Sequence, residues 1–154
     1  MAGANPEDGG RGPIVVGVDG SQASKDALAW ALRLARSAGS RLKVVTAWEV
    51  PALAYGTGVL LPSGLDYSSA AAETLDEAVR EVLGDPPAVE VEKVVVEGHP
   101  APRLVELAAG AELLVVGGRG HGAFSGMLLG SVSAHCASHA PCPVVIVRHA
   151  AERG

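Results

Sequence analysis

The sequence has little of what a nucleic-acid-binding, membrane-spanning or disulfide-linked protein needs. Its 154 residues carry 12 lysines and arginines against 17 aspartates and glutamates, for a net charge of −5, which disfavours general attraction to nucleic acid or an anionic membrane. No apolar run in it approaches the roughly 20 residues that cross a bilayer. The two cysteines, Cys136 and Cys142, are too few for a disulfide framework. We therefore expect a reducing compartment and neither a nucleic-acid nor a membrane partner.

The first residues are polar and lack the apolar segment of a secretory signal. We predict a disordered tail over residues 1–12, one domain over residues 13–149 and a short tail over residues 150–154. A chain of this length suits a single hydrophobic core. We expect the protein to be cytoplasmic.

Apolar runs of strand length alternate with segments of helical period along the chain. The strands are predicted at residues 13–19, 42–47, 89–97, 112–116 and 143–148, and the helices between Ser21 and Gly39 and at residues 71–83, 100–109 and 130–140. This alternation predicts an α/β fold of three layers, a doubly wound parallel sheet with helices on both faces. Residues 48–70 are left over and are interpreted as a functional flap or a mobile loop.

A glycine-rich segment, GGRGHGAFSGMLLGS, follows the fourth predicted strand at residues 117–131. A P-loop is excluded, because that motif needs a lysine and the last lysine of the chain is Lys93. Gly118, Gly120 and Ala123 match the dinucleotide pattern GxGxxA. That pattern requires an acidic residue about 20 positions later, yet no acid occurs between Glu112 and Glu152. Both of these phosphate-binding motifs are therefore rejected.

A third spacing, Gly117-x2-Gly120-x9-Gly130-Ser131, closely resembles the nucleotide motif of the universal stress protein family. The opening PIVVGVDGS, the central VVVEGHPAPRLVELA and the closing GSVS and APCPVVIVR resemble the corresponding parts of that family. The resemblance covers essentially the whole folded chain and points to the ATP-binding subclass. It implies a Rossmann-like nucleotide-binding fold with five parallel strands in the order 3-2-1-4-5.

The residue types in this segment suit a phosphate group. Gly117 and Gly120 have no side chain to keep backbone N–H groups from phosphate oxygens, and Gly130 opens a helix whose N-terminus attracts anions. Arg119 supplies the only full cation of the loop, and His121 a further donor. A flexible glycine loop before a capped helix is the structural alternative. The predicted nucleotide-binding residues here are Gly117, Gly118, Arg119, Gly120, His121, Gly122, Ala123, Gly130, Ser131, Val132 and Ser133.

The implied strand order adds three residues to the predicted site. It places strands one and four side by side, at a topological switch point where ligands bind beyond the carboxyl ends of strands. Asp19 would then face the nucleotide ribose or a bound Mg²⁺, and Gly17 would leave room for the ligand. The alternative for Asp19 is an Asx turn that caps the first helix. The resemblance also implies that the backbone near Ala47 bonds the adenine edge.

His135, Cys136, His139 and Cys142 have a spacing that suggests zinc ligands. The two histidines fall on one helix face, but Cys136 lies about 100° round the helix and Cys142 lies beyond a proline. A tetrahedral zinc site needs four convergent ligands. We therefore interpret these four residues as ordinary helix and strand-entry positions.

The predicted function is that of a cytoplasmic ATP-binding universal stress protein, a nucleotide-dependent regulatory module in the stress response. A slow ATPase or phosphotransferase of the same fold is the alternative, and it is disfavoured because the loop has no lysine. We also predict a homodimer through residues 143–148, because this nearly apolar strand would lie at an unprotected sheet edge.

Overall fold

The computed structural model describes residues 11–50, 64–119 and 129–148. Within these ranges, five strands alternate with four helices. The strands are β1 (Ile14–Gly17), β2 (Leu42–Trp48), β3 (Val91–Glu97), β4 (Leu113–Gly117) and β5 (Val144–Val147), and the helices are α1 (Gln22–Ala38), α2 (Gly64–Leu83), α3 (Pro100–Leu107) and α4 (Ser131–His139).

The five strands form one parallel sheet in the order β3-β2-β1-β4-β5, which confirms the predicted fold class and strand order. Helices α1 and α2 pack on one face of this sheet and α3 and α4 on the other. The central strands β1, β2 and β4 therefore bury residues on both faces. Ile14 and Val16 enter the core under α1 and α2, while Val15 enters the core under α3 and α4. Burial on both faces explains why these central strands are nearly continuous apolar runs.

The ends of α1 follow the predicted capping chemistry. The Ser21 hydroxyl accepts a hydrogen bond from the Ser24 backbone N–H, and Gly39 ends the helix in the left-handed conformation at φ +71°, which suits glycine. Helix α3 begins with Pro100 in its first turn, where the missing N–H has no cost.

Helix α2 corrects one sequence prediction, because it begins at Gly64 and not at residue 71. The added residues carry Asp66 in the first turn, where a carboxylate favours the helix dipole. Asp66, Ser68 and Ser69 interrupt any apolar period in this part of the helix, so the sequence pattern did not predict it. The remainder of the loop predicted over residues 48–70 includes residues 51–63, which lie outside the described residues.

The two tails predicted at the ends of the chain fall almost entirely outside the described residues. Arg11 and Gly12 are described, and both contact the domain. The Arg11 guanidinium donates to the Ala38 carbonyl oxygen at 3.2 Å, and a Cβ at Gly12 would clash with the Gly110 carbonyl oxygen. Among the helices of the described residues, none is long and apolar enough to cross a membrane.

Candidate functional site

Strands β1 and β4 are neighbours in the centre of the sheet, with Val16 in register with Val115. Helix α1 leaves β1 toward one face, and α4 follows β4 on the opposite face. The two connections therefore diverge at the carboxyl ends of these strands and open a crevice between them. A crevice of this kind is where doubly wound sheets bind their ligands.

Hydrogen bonds join the two ends of the glycine-rich segment. The Gly118 carbonyl oxygen accepts from the Gly130 backbone N–H at 2.6 Å and from the Ser133 hydroxyl at 2.8 Å. The Gly118 N–H donates to the Val147 carbonyl oxygen at 2.8 Å. The segment thus starts and ends at one point above β4 and β5, which fixes the position where α4 begins.

The N-terminus of α4 has backbone donors that the helix does not use. Gly130 is the N-cap residue and makes no side-chain cap. The Ala134 N–H is the first that donates within the helix, to the Gly130 carbonyl oxygen at 3.0 Å, so the N–H groups of Ser131, Val132 and Ser133 have no acceptor in the helix. Together with the helix dipole, these three donors make the start of α4 suited to an anion.

The two serines of this turn have different surroundings. Ser133 is 1% exposed, and its hydroxyl donates to Gly118 and also lies 3.1 Å from the Gly130 carbonyl oxygen. Ser131 is exposed. The Ser133 hydroxyl is therefore used in a hydrogen bond within the protein, and only the backbone N–H of Ser133 remains for a ligand. The Ser131 hydroxyl faces the outside, where a ligand could reach it.

Gly117 and Gly118 differ in the space around them. A Cβ at Gly117 would lie 2.8 Å from the backbone carbonyl carbon and oxygen of Ala23, in the first turn of α1. A Cβ at Gly118 would meet Arg148 and Ile146 at ordinary distances of 3.5 and 3.6 Å. Glycine at 117 therefore lets α1 approach β4, which sets the width of the crevice.

The space where a Gly17 side chain would lie is occupied by a residue of α3. A Cβ there would lie 2.7 Å from the Leu104 side chain of α3. The sequence predicts that this space holds the ligand, whereas the structure fills it with Leu104. The described contacts of Gly17 thus explain the glycine by helix–sheet packing, and its part in nucleotide binding stays a prediction.

Asp19 lies just beyond β1 at the mouth of the crevice and is exposed. Its Oδ1 accepts from the Ser21 backbone N–H at 2.9 Å and from the Ser21 hydroxyl at 2.5 Å. This is the Asx-turn geometry that was the alternative interpretation. A carboxylate has about four lone-pair positions, so these bonds do not exclude a further contact with a ribose hydroxyl or a cation.

The backbone of Ala47 points to the crevice. The Val45 carbonyl oxygen accepts from Val18, whereas the Trp48 carbonyl oxygen accepts from Gly98, beyond β3. Because main-chain groups alternate in direction along a parallel strand, those of Ala47 face the β1 side. Strand β1 ends at Gly17, so Ala47 presents its backbone beyond that end. This position fits the predicted adenine contact.

Thr46 was missed by the sequence argument. It is 4% exposed, and its hydroxyl donates to the Val18 carbonyl oxygen at 3.0 Å. This bond ties the end of β2 to the residue that precedes Asp19. A hydroxyl inside an otherwise apolar strand was the available signal, because a buried hydroxyl needs a partner.

Part of the predicted site has no structural description. Gly120, His121, Gly122 and Ala123 lie outside the described residues. Arg119 is described and exposed. The residues that the structure does bring together at the crevice are Asp19, Ala47, Gly117, Gly118, Gly130, Ser131, Val132 and Ser133.

Four-ligand zinc coordination does not fit the observed placement of the cysteine and histidine residues near α4. Cys136 is 0% exposed and packs in the core under α3 and α4, whereas His139 is exposed. In the described part of the chain, no group of three or more His, Cys, Asp or Glu residues could hold a metal ion. Burial raises the pKa of the Cys136 thiol to about 11, and nearby Cys142 adds to the shift.

The sheet order and the anion-suited helix start at its switch point define a class, the doubly wound α/β proteins with a Rossmann-like ligand crevice. Comparison with known proteins narrows this class. The model of the Universal stress protein family matches residues 10–148, and the chain belongs to that family.

Individual relatives agree with the family match. A universal stress protein of Mycobacterium tuberculosis is 40% identical over 139 residues, which cover 88% of this chain and 45% of that protein. The chain thus spans about half the length of the curated relatives it matches.

Solved structures also match. A universal stress protein in complex with cAMP is 29% identical, with a TM-score of 0.66 over 88% of this chain and 96% of that one. The universal stress protein from Archaeoglobus fulgidus in complex with dAMP is 26% identical, with a TM-score of 0.63 over 88% and 97%.

Proposed function

We propose that this protein binds an adenine nucleotide, ATP with Mg²⁺, in the crevice between β1 and β4 and acts as a nucleotide-dependent regulatory module in the cytoplasm. The observation that carries the proposal is the start of α4. Its three leading N–H groups open at the topological switch point, where anions of a nucleotide are bound in such folds. The complexes of two relatives with cAMP and dAMP support the adenine.

The described residues suggest how the nucleotide would lie. The phosphates would rest on the N–H groups of Ser131, Val132 and Ser133, and the adenine edge on the Ala47 backbone. Asp19, at the end of β1 between these two positions, would hold the ribose or the Mg²⁺ ion. The metal would neutralise phosphate charge. Backbone N–H groups of the glycine-rich segment after Gly118 are proposed to contribute to phosphate binding.

The test is calorimetry with ATP, in the presence and absence of Mg²⁺, on the parent and on Gly120→Val. A valine side chain should occupy the space where backbone approaches phosphate, so binding to this variant should be lost. Ser69→Ala, an exposed change on α2, is the matched control and should bind like the parent. A folded Gly120→Val variant with parental affinity, or a parent that takes up no ATP, contradicts the proposal.

A separate measurement addresses catalysis. ADP formed over hours at saturating ATP should stay at the level of the protein-free control, because phosphoryl transfer needs positioned cations and an orienting group. Sustained turnover would favour the slow ATPase or phosphotransferase.

We further propose that two copies pair through β5. This strand is an edge of the sheet and consists of four half-buried apolar residues. The other edge, β3, carries exposed Glu92, Lys93 and Glu97, and such charges protect an edge from pairing. The Pro143 and Val147 carbonyl oxygens bond to β4, so the alternate main-chain groups of Val144 and Ile146 point outward.

Ile146→Pro tests this pairing, because proline removes the outward N–H of an edge strand and leaves the bonds to β4 in place. Ile146→Val is the control that keeps the N–H. Light scattering at micromolar concentration should give a dimer for the parent and for Ile146→Val, and a monomer for Ile146→Pro. A parent of monomeric mass rules the pairing out.

A further inference from the structure

The last turns of α4 carry two histidines that nucleotide binding does not use. His135 and His139 are four residues apart, and their rings are stacked, with centroids 4.3 Å apart and an angle of 21° between the planes. Residues at this spacing share one helix face. His135 is half-buried and His139 exposed, so a small ion can approach the pair from outside.

A hydrogen bond orients the His139 ring. Its Nδ1 lies 3.1 Å from the His135 carbonyl oxygen, and a carbonyl oxygen only accepts. The proton of the neutral ring therefore belongs on Nδ1, which leaves the lone pair on Nε2. Histidines that bind metals commonly have their other nitrogen held in this way by a backbone carbonyl group.

The separation of the rings suits one metal ion. Zinc binds imidazole nitrogens at about 2.0–2.1 Å, so two nitrogens on a tetrahedral ion are about 3.3 Å apart. Ring centroids 4.3 Å apart bring the two imidazoles close to this range, and a small rotation of the exposed His139 side chain, which adjusts its Nδ1 hydrogen bond, would turn one nitrogen of each ring toward a shared ion. In the described part of the chain, neither ring forms an ion pair with a carboxylate, so no such contact has to break.

We propose that His135 and His139 form a two-histidine site on α4 for a divalent transition metal that prefers imidazole, such as Zn²⁺, Ni²⁺ or Cu²⁺. Water would complete the coordination. The site differs from the four-ligand pattern in the sequence, because Cys136 faces the core and takes no part. It lies at the opposite end of α4 from the proposed nucleotide site.

The experiment is calorimetric titration of the full chain with ZnCl₂ in nucleotide-free buffer. The parent should bind one Zn²⁺ ion. In both His135→Gln and His139→Gln, Zn²⁺ binding should be lost or at least about tenfold weaker, because even the loss of a residue that supports a metal ligand weakens metal binding by about that factor. Cys142→Ser is the matched control at the neighbouring thiol and should bind Zn²⁺ like the parent. Circular dichroism melts check that each variant is folded; His139 is exposed, so its replacement should not affect folding.

Cobalt identifies the ligand atoms independently. Co²⁺ bound to the parent should show no thiolate charge-transfer band, because both protein ligands are nitrogens. The proposal is overturned if the parent binds no Zn²⁺, if either folded histidine variant keeps parental affinity, if Cys142→Ser abolishes binding, or if the thiolate band appears.

Discussion

The Ser133 hydroxyl donates a hydrogen bond to the carbonyl oxygen of Gly118, a residue 15 positions earlier in the chain, at 2.8 Å. This bond joins the residue that follows β4 to the first turn of α4. The two ends of the glycine-rich segment are therefore held together at the carboxyl end of β4. The position of the anion-suited helix start thus depends on a buried side chain that does not itself face the ligand.

Ser133→Ala and Ser131→Ala should separate stability from binding. Loss of the buried Ser133 hydroxyl removes a hydrogen bond worth about 1 kcal/mol of unfolding free energy. Loss of the exposed Ser131 hydroxyl should leave unfolding nearly unchanged and weaken ATP binding by roughly tenfold, or about 1 to 2 kcal/mol. Urea unfolding and calorimetry measure the two effects, and the reverse assignment would show that Ser133 is the ligand contact.

Gly117→Ala should lower the unfolding free energy by about 1–3 kcal/mol, because its Cβ would force α1 away from β4. The Ala23 atoms it meets at 2.8 Å belong to the backbone and cannot rotate aside. Gly118→Ala, with contacts of 3.5 Å or more, is the neighbouring control and should cost much less. Equal losses in urea unfolding would show that the close approach of Ala23 is not what requires glycine.

Gly17→Ala should also destabilise the protein by about 1–3 kcal/mol, through its clash with the Leu104 side chain. In a Leu104→Ala background the clash is gone, so the added cost should shrink, and a double-mutant cycle should give a coupling of at least about 0.5 kcal/mol. Additive effects on unfolding, together with lost ATP affinity in the single variant, would instead favour the ligand role first predicted for Gly17.

Asp19→Asn and Asp19→Ala distinguish the turn from the metal role. Asparagine keeps an acceptor oxygen for the two Ser21 donors, so the melting temperature should fall only with alanine, by the equivalent of about 1 kcal/mol. Both variants lose the carboxylate charge, and both should lose the part of ATP affinity that depends on Mg²⁺. If Asp19→Asn responds to Mg²⁺ as the parent does, Asp19 serves only the turn.

Alkaline pH should destabilise the fold through Cys136. Burial raises the pKa of its thiol from 9.0 to about 11, so above pH 9 the unfolded chain loses a proton that the folded chain keeps. The unfolding free energy should therefore fall as the pH rises from about 9 to 11, by at most about 1.4 kcal/mol per pH unit. Cys136→Ala should remove this part of the slope in urea titrations, whereas Cys142→Ser should keep most of it, because burial and not Cys142 is the larger cause of the Cys136 shift.

Local signals in the sequence were sufficient for most of the fold. Apolar runs of strand length predicted β1, β2, β4 and β5, the alternation of apolar and charged residues predicted the edge strand β3, and Ser21 and Gly39 predicted both ends of α1. The order of the strands came from the family resemblance, and the sheet confirms it. The early start of α2 was missed, because residues 64–70 combine Gly64 with the polar residues Asp66, Ser68 and Ser69 and show no regular apolar period.

The alternation of strands and helices, the glycine spacing and the serine that begins α4 can all be read from the sequence, because they depend on residues close together in the chain. What each of these residues contacts depends on the folded protein. Leu104 fills the space at Gly17, Ala23 presses against Gly117, and Ser133 turns inward while Ser131 stays exposed. Those contacts join residues far apart in the chain, and packing across the layers of the sheet sets them.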